Sequence, residues 1–466
     1  MRQQFTRRWQ AESGYGEVLR IAFPLILSTG SWSLQHFIDR MFLTWFSPEA
    51  IAASMPAGMV NWTLVSVLMG TAVYVNTFVA QYFGARQPQR IGPAVWQGIY
   101  LAIFTIPLIA LFYPLAKPIF FLFGHPEEVE HLEIIYFRIL LIGAPFIVVS
   151  NAISGLFTGL GKTWVVMWVN FLGTAVNILL DYLLIFGKLG FPQMGIAGAG
   201  LATVSAVVVN AIVFFALMTR PLFTRTFHTL KGWRFEWELF RRLIRFGLPN
   251  GIQFLLELFA FTLFILLVGK IGLVELAASN IAFNINTLAF MPMFGMTIAV
   301  STLVGQRLGE NRPDLAERAT WSAFHLGFIY FATIGLGYFF LPELFILPFS
   351  WQAESEHFAT IHNMIVILLR FVAVYCLFDA GNMIFSGALK GAGDTRFVAT
   401  ASVGLSWLLL LIPSGVTLYL FHGGVYWLWL FVTLYIVGLC LVFGFRFLKG
   451  RWKSMRVIER SSPEGI

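Results

Sequence analysis

The sequence predicts an all-α polytopic membrane protein, with twelve transmembrane helices in two pseudo-twofold related six-helix lobes around a central cleft. Three observations lead there. Of 466 residues, 58% are hydrophobic and 17% aromatic while 12% are charged. The mean hydropathy is +0.77, far from that of soluble domains. Apolar stretches recur at a length that, as a helix, crosses a hydrocarbon core of roughly 30 Å. The second half of the chain repeats the first. Composition excludes a soluble enzyme. The net charge of +8 points to no nucleic-acid partner, because the basic residues lie in short loops between apolar stretches, where they set orientation.

A window of about 19 residues places the spans at 18–45, 52–83, 94–122, 132–157, 164–187, 196–218, 243–270, 277–306, 318–347, 360–388, 397–420 and 424–448. Polar residues separate Arg2, Arg7 and Arg8 from a first span too long for a signal core, so no cleavable signal is expected. Arg86 and Arg90 follow the second span, Lys162 the fourth, Arg220 to Arg245 the sixth, Arg307, Arg312 and Arg318 the eighth, and Lys390 and Arg396 the tenth. Lys449, Arg451 and Lys453 begin the tail. The opposite loops are short or acidic, as at His125–His131 and Ser350–His357. By the positive-inside rule both termini are cytoplasmic, in the inner membrane if the cell is bacterial. The longest polar stretch, 219–242, divides six spans from six. The expected organisation is a cytoplasmic N-terminal segment 1–16, an N-lobe 17–218, a cytoplasmic inter-lobe linker 219–242, a C-lobe 243–448 and a cytoplasmic tail 449–466. Cys376 and Cys440 both lie inside apolar stretches and imply no disulfide framework.

Sliding the second half over the first so that Val304 falls on Val79 matches "VAQYFGARQPQRIGPAVW" with "VGQRLGENRPDLAERATW" and sets Pro249 on Pro24. A slightly larger shift matches "SGLFTGLGKT" (Ser154–Thr163) with "SGALKGAGDT" (Ser386–Thr395) and sets Arg370 on Arg138. The chain reads as an internal duplication. An even number of spans per unit inserts both lobes the same way up, related by an axis along the membrane normal, an architecture suited to alternating access.

A carboxylate at mid-bilayer costs around 2.5–3.5 kcal/mol on insertion scales, so each one calls for a reason. Asp39, Asp181, Glu257 and Asp379 stand out. At about 1.5 Å rise per residue, Asp39 and Asp181 share a depth roughly 9 Å outward of mid-span. Asn177 precedes Asp181 by one helical turn on the same face, and Thr203 reaches a similar level. Asp39, Asn177, Asp181 and Thr203 are therefore expected to converge as an oxygen-rich pocket of the kind a hard cation such as Na⁺ prefers. The same carboxylates are equally suited to carrying a proton. Glu257 and Asp379 form the second-lobe set. The repeat-mates of the four acids are Phe264, Pro413, Trp32 and Ile147, so none is inherited from the duplication, which argues for function. The ordinary alternative for any single one is a carboxylate satisfied by a neighbouring helix. Arg138 and Arg370 read as structural anchors, and the two glycine-rich runs as packing and turn elements.

"GLGKT" falls short of a phosphate loop, because Leu156 stands where the first glycine is required. His36, His325 and His362 are isolated in sequence and no Cys/His spacing resembles a metal site. No G-x-S-x-G nucleophile is present, so no enzyme, cofactor or resident metal is expected beyond a Na⁺ at the acids. Phe, Met and Trp along "NTLAFMPMFGM" (Asn286–Met296) suit planar apolar cations, although most such residues face lipid or pack.

The motifs "FIDRMFL" (Phe37–Leu43), "VAQYFG" (Val79–Gly84), "GLPNGIQFLLELFAFTLF" (Gly247–Phe264) and "YCLFDAGNMIFSGALKGAGDT" (Tyr375–Thr395) together resemble the multidrug and toxic compound extrusion (MATE) family, in its bacterial NorM-like branch. The resemblance runs from about Gly16 to Leu448. It implies efflux of small cationic drugs and dyes, driven by inward Na⁺ or H⁺, by a monomer surrounded by membrane lipid. It makes Asp39, Asn177, Asp181 and Thr203 the first-lobe cation site, Glu257 and Asp379 the second-lobe acids, and Pro24 the proline that bends the first helix. The chain holds both sets of acids, so the coupling ion and the dominant lobe stay open. A lipid-linked oligosaccharide flippase of the same wider superfamily is the alternative. Such a protein tends to line its cleft with Arg and Lys, whereas the intramembrane charge here is mainly acidic.

Overall fold

The computed structural model describes residues 8–350 and 355–459, which excludes Arg2, Arg7, the loop residues 351–354 and the tail beyond Glu459. Every long element among them is helical. The helices are α1 (Tyr15–Phe46), α2 (Pro48–Val73), α3 (Val75–Gly84), α4 (Ile91–Tyr100), α5 (Thr105–Phe121) and α6 (Glu127–Ile142). They continue with α7 (Ala144–Gly159), α8 (Thr163–Phe186), α9 (Ile196–Met218), the short α10 (Pro221–Phe227), α11 (Trp237–Ile271) and α12 (Leu273–Gly309). The last are α13 (Pro313–Phe340), α14 (Pro342–Ser350), α15 (Ser355–Ala392), α16 (Thr395–Leu405), α17 (Ile412–Phe421) and α18 (Val425–Leu448).

Among the described residues ten helices are long and apolar enough to cross a membrane, and eleven if α6 and α7, bent by 41° at Gly143, count as one broken span. The difference from the twelve expected is α1. Ser28, Thr29, Ser31, Ser33, Gln35 and His36 crowd the middle of this 32-residue helix and dilute its hydropathy. The span expected at 318–347 ends sooner, because Leu341 leaves helical geometry (φ −130°, ψ 45°) ahead of Pro342, whose ring disfavours the α conformation before it.

The chain forms two compact units, one of residues 1–26 with 253–456 and the other of 27–252 with 457–466. The boundaries fall inside α1 and α11. In the 27–252 unit, α2 packs on α6, α3 on α7, and α9 on both α8 and α6. Ala50, Ala53 and Ala57, spaced along one face of α2, are buried in a core with Phe120, Tyr136, Phe137 and Leu140. Small residues there let the helix backbones approach closely, the main device for helix association in lipid. Ser47 caps α2 by accepting from the Ala50 amide at 3.0 Å. The turn between α8 and α9 needs glycine at Gly195 (φ +55°), where a Cβ would stand 2.5 Å from the Phe46 ring. That contact ties the end of α1, carrying Asp39, to the start of α9.

In the other unit α15 is the centre, packed on α12, α13 and α18. The glycine-rich runs take the packing role expected of them. A Cβ on Gly159 would meet Val79 at 2.7 Å, and one on Gly391 would meet the Ser301 carbonyl at 2.4 Å. Arg138 and Arg370 lie over aromatic rings, Tyr113 at 4.9 Å and Phe339 at 5.6 Å, as anchors do. The chain after α17 passes Gly423 and Gly424 into α18, and a π-helical stretch at Ser406–Leu411 joins α16 to α17.

Candidate functional site

In the 27–252 unit, α1, α8, α6 and α9 bring one polar group to a common point. Asp39 is 7% exposed, and Asn177 and Asp181 are fully buried. The Asp39 and Asp181 carboxyls lie within electrostatic range of one another. Tyr136, on α6, interacts with both and its hydroxyl meets Thr203. Asn177 and Asp181, one turn apart on α8, present the same face. Four of the predicted residues are thus in one neighbourhood, with Tyr136 as a fifth.

The satisfaction of this group is unusual. Among the described residues, Asp39 Oδ1, both Asp181 oxygens and both amide atoms of Asn177 are buried with no donor or acceptor from another group, while the two carboxyls lie close enough to share a hydrogen bond if one carries a proton. Buried polar atoms are nearly always paired, and two carboxylates at close range repel when both are ionised. The pocket therefore offers four acceptors that no other group serves, Asp39 Oδ1, Asp181 Oδ1 and Oδ2 and Asn177 Oδ1, to a positive charge from outside. A proton or a hard monovalent cation meets that need. His36, isolated in sequence, is one turn from Asp39 with Nδ1 3.9 Å from Oδ2. Its ring lies 5.4 Å from Trp32, which in turn is 5.1 Å from Trp62.

The second set is built differently. Glu257 on α11 and Asp379 on α15 are within electrostatic range in the other unit, and each has its own donor. Gln253 Nε2 donates to Glu257 Oε1 at 2.8 Å and to Ser402 Oγ at 3.1 Å. Asn382 Nδ2 donates to Asp379 Oδ1 at 2.8 Å. Lys390 acts on Glu257, and Tyr435 on both acids. Sequence reading did not single out Tyr136, Gln253, Asn382, Ser402 or Tyr435, and it placed Lys390 in the loop after the tenth span, whereas Lys390 lies within α15. A signal existed for two of them: Gln253 is one turn before Glu257 and Asn382 one turn after Asp379, the spacing that had joined Asn177 to Asp181. Tyr136, Ser402 and Tyr435 come from other helices and carry no such signal. Asp39, Asn177 and Asp181 belong to one unit, and Glu257 and Asp379 to the other.

Pro24 lies inside α1, which remains helical across it. Two residues later, Ile26 N is 2.8 Å from where a Cβ on Gly295 would stand. In the other unit the repeat-related residues meet the same way: beside Pro249, Gly251 Cα is 2.8 Å from a Cβ built on Gly70. Each proline thus sits next to a backbone-to-backbone crossing.

Among the described residues no group of three or more His, Cys, Asp or Glu side chains is placed to hold a metal ion. The first site draws on two carboxylates, an amide and hydroxyls instead.

A family profile described as MatE matches residues 24–183 and 249–417, one segment in each half of the duplication. The chain is 27% identical over 450 residues to a Thermotoga maritima protein described as "Probable multidrug resistance protein NorM", across 95% of this chain and 94% of that one. A Mesorhizobium japonicum protein of the same description is 30% identical over 436 residues, across 91% and 92%. A solved structure described as the outward-facing conformation of a multidrug resistance MATE family transporter superposes with a TM-score of 0.86 at 21% identity, covering 97% of this chain and 98% of that one. That last likeness is one of fold.

Proposed function

The chain belongs to the MatE family, and from that premise we propose that it is a multidrug efflux transporter, an antiporter that couples export of cationic, aromatic drugs and dyes to inward Na⁺ or H⁺ by alternating access. The observation that carries the coupling is the Asp39–Asn177–Asp181 pocket, whose buried oxygens lack a donor from any other group. Such a group is stable only with a cation or proton present, and the identity of its occupant changes during a transport cycle. Asp39 and Asp181 hold the coupling ion, Asn177 and Thr203 orient it, and Tyr136 bridges the Thr203 hydroxyl to the acids. Glu257 and Asp379, already held by amide donors, attract the drug cation. Pro24 supplies the flexibility of the first helix, since it removes one backbone hydrogen bond from α1.

Coupling follows from exclusion at shared negative charge: a drug cation and the driving ion cannot both neutralise the same acids. One monovalent drug exchanged for one ion moves no net charge, whereas two ions per drug make the cycle electrogenic, at about 2.3 kcal/mol per charge per 100 mV. We assign twelve spans, with α1 the first, a monomer in the bacterial inner membrane, and cytoplasmic termini. The basic residues after the even-numbered spans support that orientation.

The test is ethidium efflux from cells lacking their own pumps, with the Na⁺ and proton gradients collapsed separately. Efflux should fail when one gradient is removed, and Asp181→Asn and Asp39→Asn should lower it at least about tenfold at unchanged protein level. Full efflux by both variants, or efflux indifferent to both gradients, refutes the proposal.

A further inference from the structure

Two terminal segments of the chain pack beside residues that the duplication aligns with one another. In the 1–26 and 253–456 unit, Arg307 holds the segment that leads into α1. Its guanidinium donates to Glu12 at 3.0 Å, Glu17 at 2.7 Å, Glu310 at 2.9 Å and the Ser13 hydroxyl at 3.0 Å. In the other unit the residue aligned with Arg307 is Tyr82, and the residue aligned with Glu17 is Arg242. The direct Arg–Glu closure of the first unit therefore has no counterpart there: a hydroxyl and a second cation face each other.

The missing negative charge comes from the tail. Glu459 pairs with Arg242, accepts from the Tyr82 hydroxyl at 2.9 Å, and lies 3.8 Å from Arg90, which also binds Glu236 at 2.8 Å. The Val457 amide donates to Gln81 Oε1 at 2.8 Å. Val457 is fully buried and Ile458 is 6% exposed, so two apolar anchors precede the charge.

We propose that Gln81, Tyr82, Arg90 and Arg242 form a binding notch for an acidic peptide segment, that its ligand is the chain's own tail Val457–Glu459, and that the tail docks reversibly as a latch. Exposure separates the two terminal attachments. The carboxylates are partly wet in both, Glu12, Glu17 and Glu310 at 46%, 30% and 32% and Glu459 at 42%, but the cations differ: the Arg307 side chain is 9% exposed, whereas Arg242 and Arg90 are 28% and 36% exposed. Water and salt reach the tail's ion pairs and screen them, so the tail is the one held weakly enough to release. Release of the docked tail accompanies the transport cycle. That last step rests on the transport reading; the docking does not.

The experiment uses the full chain with Ile458→Cys and measures the rate of reaction with a membrane-impermeant maleimide in inside-out vesicles. Cys376 and Cys440 are replaced by Ser so that one thiol reports. At low salt the thiol should react slowly. Raising salt to about 1 M, or adding Glu459→Gln or Arg242→Gln, should speed labelling about threefold or more, the scale expected of a half-exposed charge network. Labelling should also change when ethidium and the driving gradient are supplied together. A rate indifferent to salt and to both substitutions overturns the notch, and one indifferent only to turnover overturns the latch. If wild-type vesicles move no dye yet labelling still responds to salt and to Glu459→Gln, the notch stands and the transport reading fails.

Discussion

The proline-adjacent crossings predict opposite signs for two glycine-to-alanine changes in one helix. A Cβ added at Gly70 stands 2.8 Å from Gly251 Cα and 3.3 Å from its nitrogen. Comfortable carbon contacts begin near 3.5 Å, so α2 and α11 must separate by roughly 0.7 Å, with no flexible side chain to yield instead. Overpacking of this kind costs about 1–3 kcal/mol. The same shift stretches the Asn250 Nδ2 to Gly70 carbonyl bond, now 2.8 Å, toward the limit of hydrogen-bonding distance. Alanine's better helix propensity returns about 1 kcal/mol, leaving a net loss of up to about 2 kcal/mol, to which the stretched hydrogen bond adds. Three turns earlier on α2, Gly58 has nothing within 4 Å of its would-be Cβ, so Gly58→Ala keeps only the propensity gain of about 0.5–1 kcal/mol. The repeat partner Gly295→Ala, 2.8 Å from Ile26 N, should fall with Gly70→Ala. The assay is the apparent melting temperature of purified protein in detergent, followed by size-exclusion fluorescence. Gly70→Ala and Gly295→Ala should melt a few degrees below wild type and Gly58→Ala at or above it. Gly58→Ala falling as far as Gly70→Ala would refute the reasoning, since the clash would then explain nothing.

Two further outcomes are expected. Arg307→Met leaves Glu17 and Glu310 without the cation they share with Glu12, which keeps Arg312 at 2.9 Å; because these carboxylates are partly wet, the cost is about 2 kcal/mol rather than the 3–5 of a fully buried pair. Limited proteolysis should cut ahead of α1 several times faster, and Arg307→Lys should restore only part of the protection, lacking the forked donors. The tail has a pH dependence of definite sign. Burial alone would raise the pKa of Glu459, but the Tyr82 hydroxyl, Arg242 and Arg90 outweigh it and hold the carboxyl below its ordinary value, which is about 4.3. Docking is therefore at full strength above that value and is lost as pH falls through the lower folded-state value. Maleimide labelling of Ile458→Cys, taken at each pH relative to a free model thiol because the thiolate is the reacting form, should stay flat from about pH 8 to 5 and rise only below about pH 4; a relative rise centred near neutral pH would place control in another group.

The positions of the four acids were legible because charge inside an apolar stretch is visible without any fold, and the Asn177–Asp181 pairing was legible because helical spacing puts both on one face. Likewise the repeat was legible as matched letters, and the structure gives it physical content: Gly70 with Gly251 and Gly295 with Ile26 are the same crossing twice. The contribution of Tyr136 was not legible, since nothing in the letters around residue 136 says which helix it faces. His36 was passed over as isolated although it is one turn from Asp39, a signal that spacing alone contained. At α1 the hydropathy window and the composition of the helix part company, because the helix's own polar residues dilute the apolar stretch that the window counts.

Composition, periodicity and repetition by themselves determined that the chain is helical, crosses a membrane many times, is duplicated, and carries four acids where acids are costly, because each of these is a property of residues near one another in sequence. Only the tertiary structure decided that Asp39 and Asp181 share an unsatisfied pocket while Glu257 and Asp379 have donors of their own, and that Glu459 answers Arg242 from more than two hundred residues away. Those are relations between distant segments, set by which helix faces pack together, and hydrogen-bond partners across such faces follow from close packing in three dimensions rather than from spacing along one chain.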